Sequence, residues 1–110
     1  GSHIVIATLP GLFRSGEVPS AKAMAIGHLP TYTRNPYVLA KVAERYNDAL
    51  RELAAREGYE LIDLERWADI ALKPRDAYFS DAVHLEIASY QMLGAYLAER
   101  LSPKILNHIH

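Results

Sequence analysis

Two residues in this chain have the types and the spacing to move a proton together. Asp81 and His84 stand three positions apart in Phe79-Ser80-Asp81-Ala82-Val83-His84-Leu85, just ahead of a helical apolar pattern. In a turn, that spacing lets a carboxylate reach the imidazole. A carboxylate bonded to one ring nitrogen fixes the tautomer and leaves the other nitrogen as a base. The pair amounts to two-thirds of a nucleophilic triad. With no cysteine in the chain, a thiolate nucleophile is excluded. The serines are Ser2, Ser15, Ser20, Ser80, Ser89 and Ser102. None stands in a Gly-x-Ser-x-Gly elbow or a Gly-Asp-Ser, and Ser15, before Gly16, is the least unsuited of them. The same stretch also fits a structural role, with Ser80 or Asp81 capping the next helix and His84 in its first turn.

The elements that must position the pair follow from patterning. Residues 4–9 form an apolar, β-branched run, which suits a strand covered on both faces of a parallel sheet. Pro10-Gly11 ends it. The caps predict a helix over 36–57: Asn35 at the N-cap, Pro36 at the first position, Gly58 just past the end. Val38, Leu39, Val42, Tyr46, Ala49, Leu50, Leu53 and Ala54 make its apolar stripe. Residues 59–64 read as a second strand, and strand–helix–strand is the right-handed parallel unit. Asp63, near that strand's end, either makes an ordinary strand-end hydrogen bond or orients the loop bearing His84. A closing helix over 86–101 is expected to bury Ile87, Tyr90, Leu93, Gly94, Leu97, Ala98 and Leu101. Ser102-Pro103 should stop it. Gly94 costs helix stability, which points to close packing on the sheet.

Two loops remain. Residues 11–35 are long for a connection, with a short helix over 21–26 capped by Ser20 and stopped by Gly27. Phe13, Met24, Ile26 and Leu29 are apolar enough either to line an acyl pocket or to pack on the domain. Residues 66–80 read as a second loop around Trp67.

Asp81-Ala82-Val83-His84-Leu85, then Ser89-Tyr90-Gln91-Met92-Leu93-Gly94 and a Leu-Ala-Glu-Arg-Leu ending, resembles the last block of the SGNH (GDSL) hydrolases. Ile4-Val5-Ile6-Ala7-Thr8-Leu9-Pro10 looks like that family's fourth strand. Tyr59-Glu60-Leu61-Ile62-Asp63-Leu64 looks like its fifth. Tyr46-Asn47 sits on a long helix, as the same pair often does there. Ser89 stands where the family usually has Gly. The family's Gly-Asp-Ser, separate Gly block and Gly-x-Asn-Asp have no counterpart, and Asn47-Asp48 lie mid-helix without the Gly of an oxyanion turn.

The resemblance implies an α/β fold, the C-terminal part of a three-layer α/β/α (flavodoxin-like) domain with parallel strands. Residues 4–110 would be one partial domain and residues 1–3 a cloning scar. It implies an ester hydrolase (esterase, lipase or acylhydrolase) acting by acyl transfer to a serine. His84 would be its base and Asp81 would hold the imidazole, while the nucleophile and oxyanion donors are absent. No metal and no cofactor is needed. The substrate class is an ester-containing small molecule, a lipid or an acylated carbohydrate. The expected partner is the missing N-terminal half, or a second copy through self-association. The alternative is a non-catalytic binding or assembly module derived from the same fold.

Bulk properties agree with a single globular domain. The 110 residues are 50% hydrophobic and 23% charged, with a formal net charge of −1. Nothing in that balance points to nucleic acid, and no apolar run is long enough to span a bilayer. His28 has no partner at metal-site spacing. Asn107-His108-Ile109-His110 reads as a solvated tail.

Overall fold

The computed structural model describes residues 3–109, with side chains through Leu101. The elements in chain order are β1 (Val5–Ala7), α1 (Ala21–Gly27), α2 (Pro36–Glu57), β2 (Glu60–Ile62), α3 (Leu64–Ala71), a 3-10 turn (Arg75–Ala77) and α4 (Ile87–Ile109). β1 and β2 pair in parallel, with Val5 opposite Glu60, Ile6 opposite Leu61 and Ala7 opposite Ile62. The expected parallel unit, with α2 as its crossover, is therefore present.

Each strand has three residues where the apolar runs suggested six. Both strands end because a side chain takes over. The Asn47 amide captures the backbone N–H and C=O of Leu9, each at 2.9 Å, and draws the chain out of the sheet. Asp63 turns the other strand into α3 by accepting from Arg66 N at the helix N-cap.

The helix α2 begins and ends where its caps predict. Asn35 Oδ1 accepts from Tyr37 N at 2.9 Å, and Gly58 closes the helix at φ 71°. Its orientation differs from the apolar stripe. Ala40, Asn47 and Ala54 are buried, while Val38, Val42 and Tyr46 face outward. The polar residues Glu44, Asn47 and Arg51 turn inward to meet charges from α3 and the first loop.

The stretch read as a second loop is mostly helical. Leu64, Ala68 and Leu72 lie on one face of α3 and are buried. Ala68 and Leu72 join Leu12, Phe13, Ala40, Phe79 and Leu85 in the core. In the first loop, Ser20 Oγ caps α1 by accepting from Ala23 N, as expected. The left-handed residue that ends α1 is His28 (φ 48°) and not Gly27, because Gly27 stays helical against the Phe13 ring.

The closing helix departs most from its reading. α4 continues through Ser102-Pro103 to Ile109; a proline removes one ladder donor, and this helix absorbs the loss. Its covered side carries Ser89, Leu93, Tyr96 and Leu97. Ile87 and Tyr90 face outward, at 81% and 50% exposure. Nothing lies within 4 Å of where a Gly94 side chain would begin, so Gly94 makes no close packing. The face is set instead by Tyr96, which stacks on Trp67 of α3 at 5.4 Å.

At Gly27 a methyl group would fall 2.8 Å from Phe13 Cε2 and 3.4 Å from Leu12 Cδ2. Phe13 is buried and cannot swing aside cheaply. Overpacking costs roughly 1–3 kcal/mol, more than the helix propensity an alanine returns at a terminal position. Gly27→Ala should therefore lower the urea midpoint with an unchanged m-value, and an unchanged or raised midpoint would contradict the packing described.

Candidate active site

Asp81 and His84 lie in a tight hairpin. Phe79 and Leu85 pair as an antiparallel bridge, and Ser80 N donates to His84 O at 2.8 Å. Below it, Glu86 N donates to Tyr78 O at 2.8 Å. Ser89 Oγ donates to the same carbonyl at 2.8 Å. Ser89 is wholly buried, so the first turn of α4 is tied to the hairpin base. Leu12 N donates to Ala82 O at 3.1 Å. That bond fixes the hairpin beside the segment that leaves β1, at the carboxyl end of the parallel pair, where open α/β sheets bind ligands.

Within the hairpin one carboxylate does three things. Asp81 Oδ1 accepts from Val83 N at 2.9 Å and from His84 N at 2.8 Å. Asp81 Oδ2 lies 2.8 Å from His84 Nδ1, with Oδ1 at 3.0 Å. The two backbone N–H groups, and then the imidazole, hold the Asp81 carboxyl below its usual range. An ionised Asp81 can only accept, so neutral His84 carries its proton on Nδ1 and keeps the Nε2 lone pair. No described residue bonds Nε2, and the His84 side chain is 66% exposed.

No described serine completes a triad. Ser15 Oγ donates to Glu44 Oε1 at 2.6 Å, Ser20 to Asp76, Ser80 to the backbone oxygen of His84 and Ser89 to Tyr78 O. Ser15 is thus paired with a carboxylate on α2 and not with the imidazole. Ser2 and the Ser102 side chain lie outside the described residues, as does the His110 end of the tail.

Where the two strands end lies a cluster of buried charge that the sequence reading did not find. Glu65, 4% exposed, receives Arg51 Nη2, Arg14 Nη1 and Asn47 Nδ2, each at 2.7 Å. Its own N–H donates to Thr8 Oγ1 at 2.9 Å. Thr8 in turn donates to Asp63 Oδ1 at 2.8 Å. Arg51 grips Asp63 with two bonds of 2.9 Å. That grip, strengthened by Thr8, brings the Asp63 carboxyl down to about 2. Further out, Arg75 joins Asp69, Glu17 and Gly11 O. Asp63 therefore makes more than a strand-end bond: it ties Thr8 at the end of β1 to Arg51 of α2. The available signal was an Asn at 47 next to an apolar helix stripe, where a polar side chain needs a partner.

An apolar hollow of about 340 Å³ adjoins the hairpin, lined by Leu9, Phe13, Leu39, Val42, Tyr46 and Val83 among others. Of the four residues considered for an acyl pocket, only Phe13 borders it. Ile26 and Leu29 pack on the core, and Met24 is 38% exposed. Among the described residues no group of three or more acidic, His or Cys side chains could hold a metal ion, and no helix is long and apolar enough to cross a membrane.

Comparison with protein-family models, with curated proteins and with solved structures finds no match.

Two outcomes follow from that geometry. Nitrogen-15 NMR of neutral His84 should show the Nδ1–H tautomer, and Asp81→Ala should release that preference; an unchanged tautomer would mean the carboxylate does not set it. The Asp63 carboxyl sits at about 2 against a usual 3.8. Its contribution to stability is complete above 3.8 and fades as pH falls towards about 2. Asp63→Asn should therefore destabilise at about pH 6 and matter progressively less in acid, as urea unfolding at several pH values would show.

Proposed function

We propose that these residues are the base-bearing part of an SGNH-type serine ester hydrolase, the C-terminal portion of a three-layer α/β/α domain. The observation that carries this reading is the Asp81–His84 pair itself. Its carboxylate bonds Nδ1, no described residue bonds Nε2, and it stands at the carboxyl end of a parallel sheet beside an apolar hollow. The sheet supports the same reading. Among the described residues β1 has a strand on one side only, while Arg100 of α4 reaches Leu61 O of β2 at 3.3 Å. A two-stranded sheet is marginal by itself, and a further strand beside β1 would supply what it lacks.

In the mechanism, His84 Nε2 takes the proton of a serine hydroxyl supplied from outside these residues. The serine oxygen attacks the ester carbonyl, and donors from the same source hold the oxyanion. As the intermediate collapses, His84 returns the proton to the leaving alcohol. Water, activated by the same nitrogen, then frees the acid. Asp81 holds the ring and stabilises the imidazolium at both stages. The apolar hollow suits the acyl part of a small ester, a lipid or an acylated carbohydrate. No step calls for a metal or an organic cofactor.

The absence of a described serine beside Nε2 favours a second reading, a non-catalytic binding or assembly module. Hydrolysis of p-nitrophenyl butyrate separates the two. The chain alone should do no better than any exposed histidine. Joined to the polypeptide encoded directly upstream, it should turn over, and His84→Ala should then lower kcat by at least ~10³-fold. A joined protein without turnover, or one indifferent to His84, would leave the non-catalytic reading standing.

A further inference from the structure

We propose that Arg75 is the positioning residue of the His84 hairpin, holding its base by backbone bonds and its turn through one peptide group; its value to catalysis rests on the ester-hydrolase reading. Arg75 opens the 3-10 turn that leads into the hairpin. Its carbonyl accepts from Tyr78 N at 3.0 Å and from Phe79 N at 3.1 Å. Phe79 is one half of the bridge that closes the hairpin. The side chain reaches the other way, where Arg75 Nη1 donates to Gly11 O at 3.1 Å. The Gly11 C=O and the Leu12 N–H belong to one planar peptide group, and Leu12 N donates to Ala82 O at 3.1 Å. A single peptide thus stands between the guanidinium and the hairpin carbonyl. By polarising that peptide's oxygen, the cation makes its N–H a better donor.

The fork of an arginine is what this arrangement requires. Arg75 is 7% exposed, and a buried cation has to be matched. Its Nε and Nη2 donate to Glu17 Oε2 at 3.2 and 3.0 Å, and Nη2 also meets Asp69 Oδ1. Asp69 in turn holds Arg14 Nε at 2.9 Å, and Arg14 Nη1 holds Glu65 at 2.7 Å. Glu17 and Asp69 clamp the guanidinium and aim its remaining nitrogen at Gly11. A lysine ammonium is a point charge on a flexible stem; it would neutralise the carboxylates without aiming a donor. Leu12, Phe79 and Leu85 share the core, but apolar burial is non-directional. It brings the hairpin near, and the directional bonds of Arg75 set its place. Ser89 ties the hairpin to α4 and not to the segment leaving β1.

Amide hydrogen exchange of the full chain tests this with Arg75→Lys, which keeps the charge and loses the fork. The Leu12 N–H should exchange at least ~10-fold faster. The Thr8 N–H, bonded to Ile62 O, should keep its rate. The Nδ1–H tautomer of His84 should persist, because its bonds come from residues 81 to 84. An unchanged Leu12 would overturn the proposal. So would Leu12 and Thr8 speeding up together, which is a loss of stability alone. Should the variant not fold, the unmodified protein decides by scalar couplings across hydrogen bonds. Arg75 Nη1 should couple to the Gly11 carbonyl carbon and Leu12 N to that of Ala82, and absence of either would overturn the proposal. In the joined protein, Arg75→Lys should lower kcat about 10²-fold with KM unchanged. Exchange is read without ester turnover. If Leu12 responds while the joined protein hydrolyses nothing, the positioning stands and the enzymatic reading falls. If the joined protein hydrolyses esters and Arg75→Lys spares both Leu12 and kcat, the positioning falls and the enzymatic reading stands.

Discussion

Burying the Glu65 carboxylate constrains everything around it. A carboxylate taken out of water is costly unless charge and hydrogen bonds replace its hydration. Here the replacements come from three side chains on two elements: Arg51 and Asn47 on α2, and Arg14 on the loop after β1. Each must arrive in its correct place for the others to be useful. The cluster therefore fixes α2, the end of β1 and the start of α3 relative to one another. The apolar core does not share these elements evenly, because it lies under α3, the first loop and the 79–85 hairpin. Hydrophobic burial sets one half of the structure and paired charge sets the other.

Asn47 is the point where that cluster meets the sheet. Its amide offers Leu9 one acceptor and one donor, as the peptide group of a neighbouring strand would. The same Nδ2 also reaches Glu65. A strand that leaves the sheet has to satisfy its N–H and C=O somewhere. By doing so on α2, the chain turns at Pro10-Gly11 and brings Leu12 to Ala82. The His84 hairpin thus takes its position from a helix on the other side of the strand.

What was legible in the sequence was local. Asn35-Pro36 and Gly58 bound α2 correctly because caps act within a few residues. The three-residue spacing of Asp81 and His84 was enough to expect their contact. The reading failed where partners lie far apart in sequence. α3 carried its own signal, with Asp63 as a cap and Leu64, Ala68 and Leu72 at helical spacing. It was masked by assigning Asp63 to the strand end. The face of α4 could not be read from periodicity, since Ile87 and Tyr90 are as apolar as the Leu93 and Tyr96 that are covered. The stacking of Tyr96 on Trp67, the Ser89–Tyr78 bond and the packing of Leu93 on the core decide between those faces. The bonds of the charge cluster span from 12 to 57 positions, and those that tie it to Thr8 lie beyond any window-based pattern.

The hairpin that holds His84 differs from the rest in being locally self-sufficient. Every bond that shapes the Asp81–His84 pair comes from residues 81 to 84, and the bridge that closes the turn spans only Phe79 to Leu85. Such a unit pre-organises its base before any nucleophile is present. Its position, unlike its internal geometry, depends on the Leu12–Ala82 and Ser89–Tyr78 bonds. Perturbing the charge cluster should thus displace the pair without dissolving it. Changing Asp81 should dissolve the pair without moving the hairpin. The ordering of the base is separable from its placement because the first is settled by neighbours in sequence and the second by the fold.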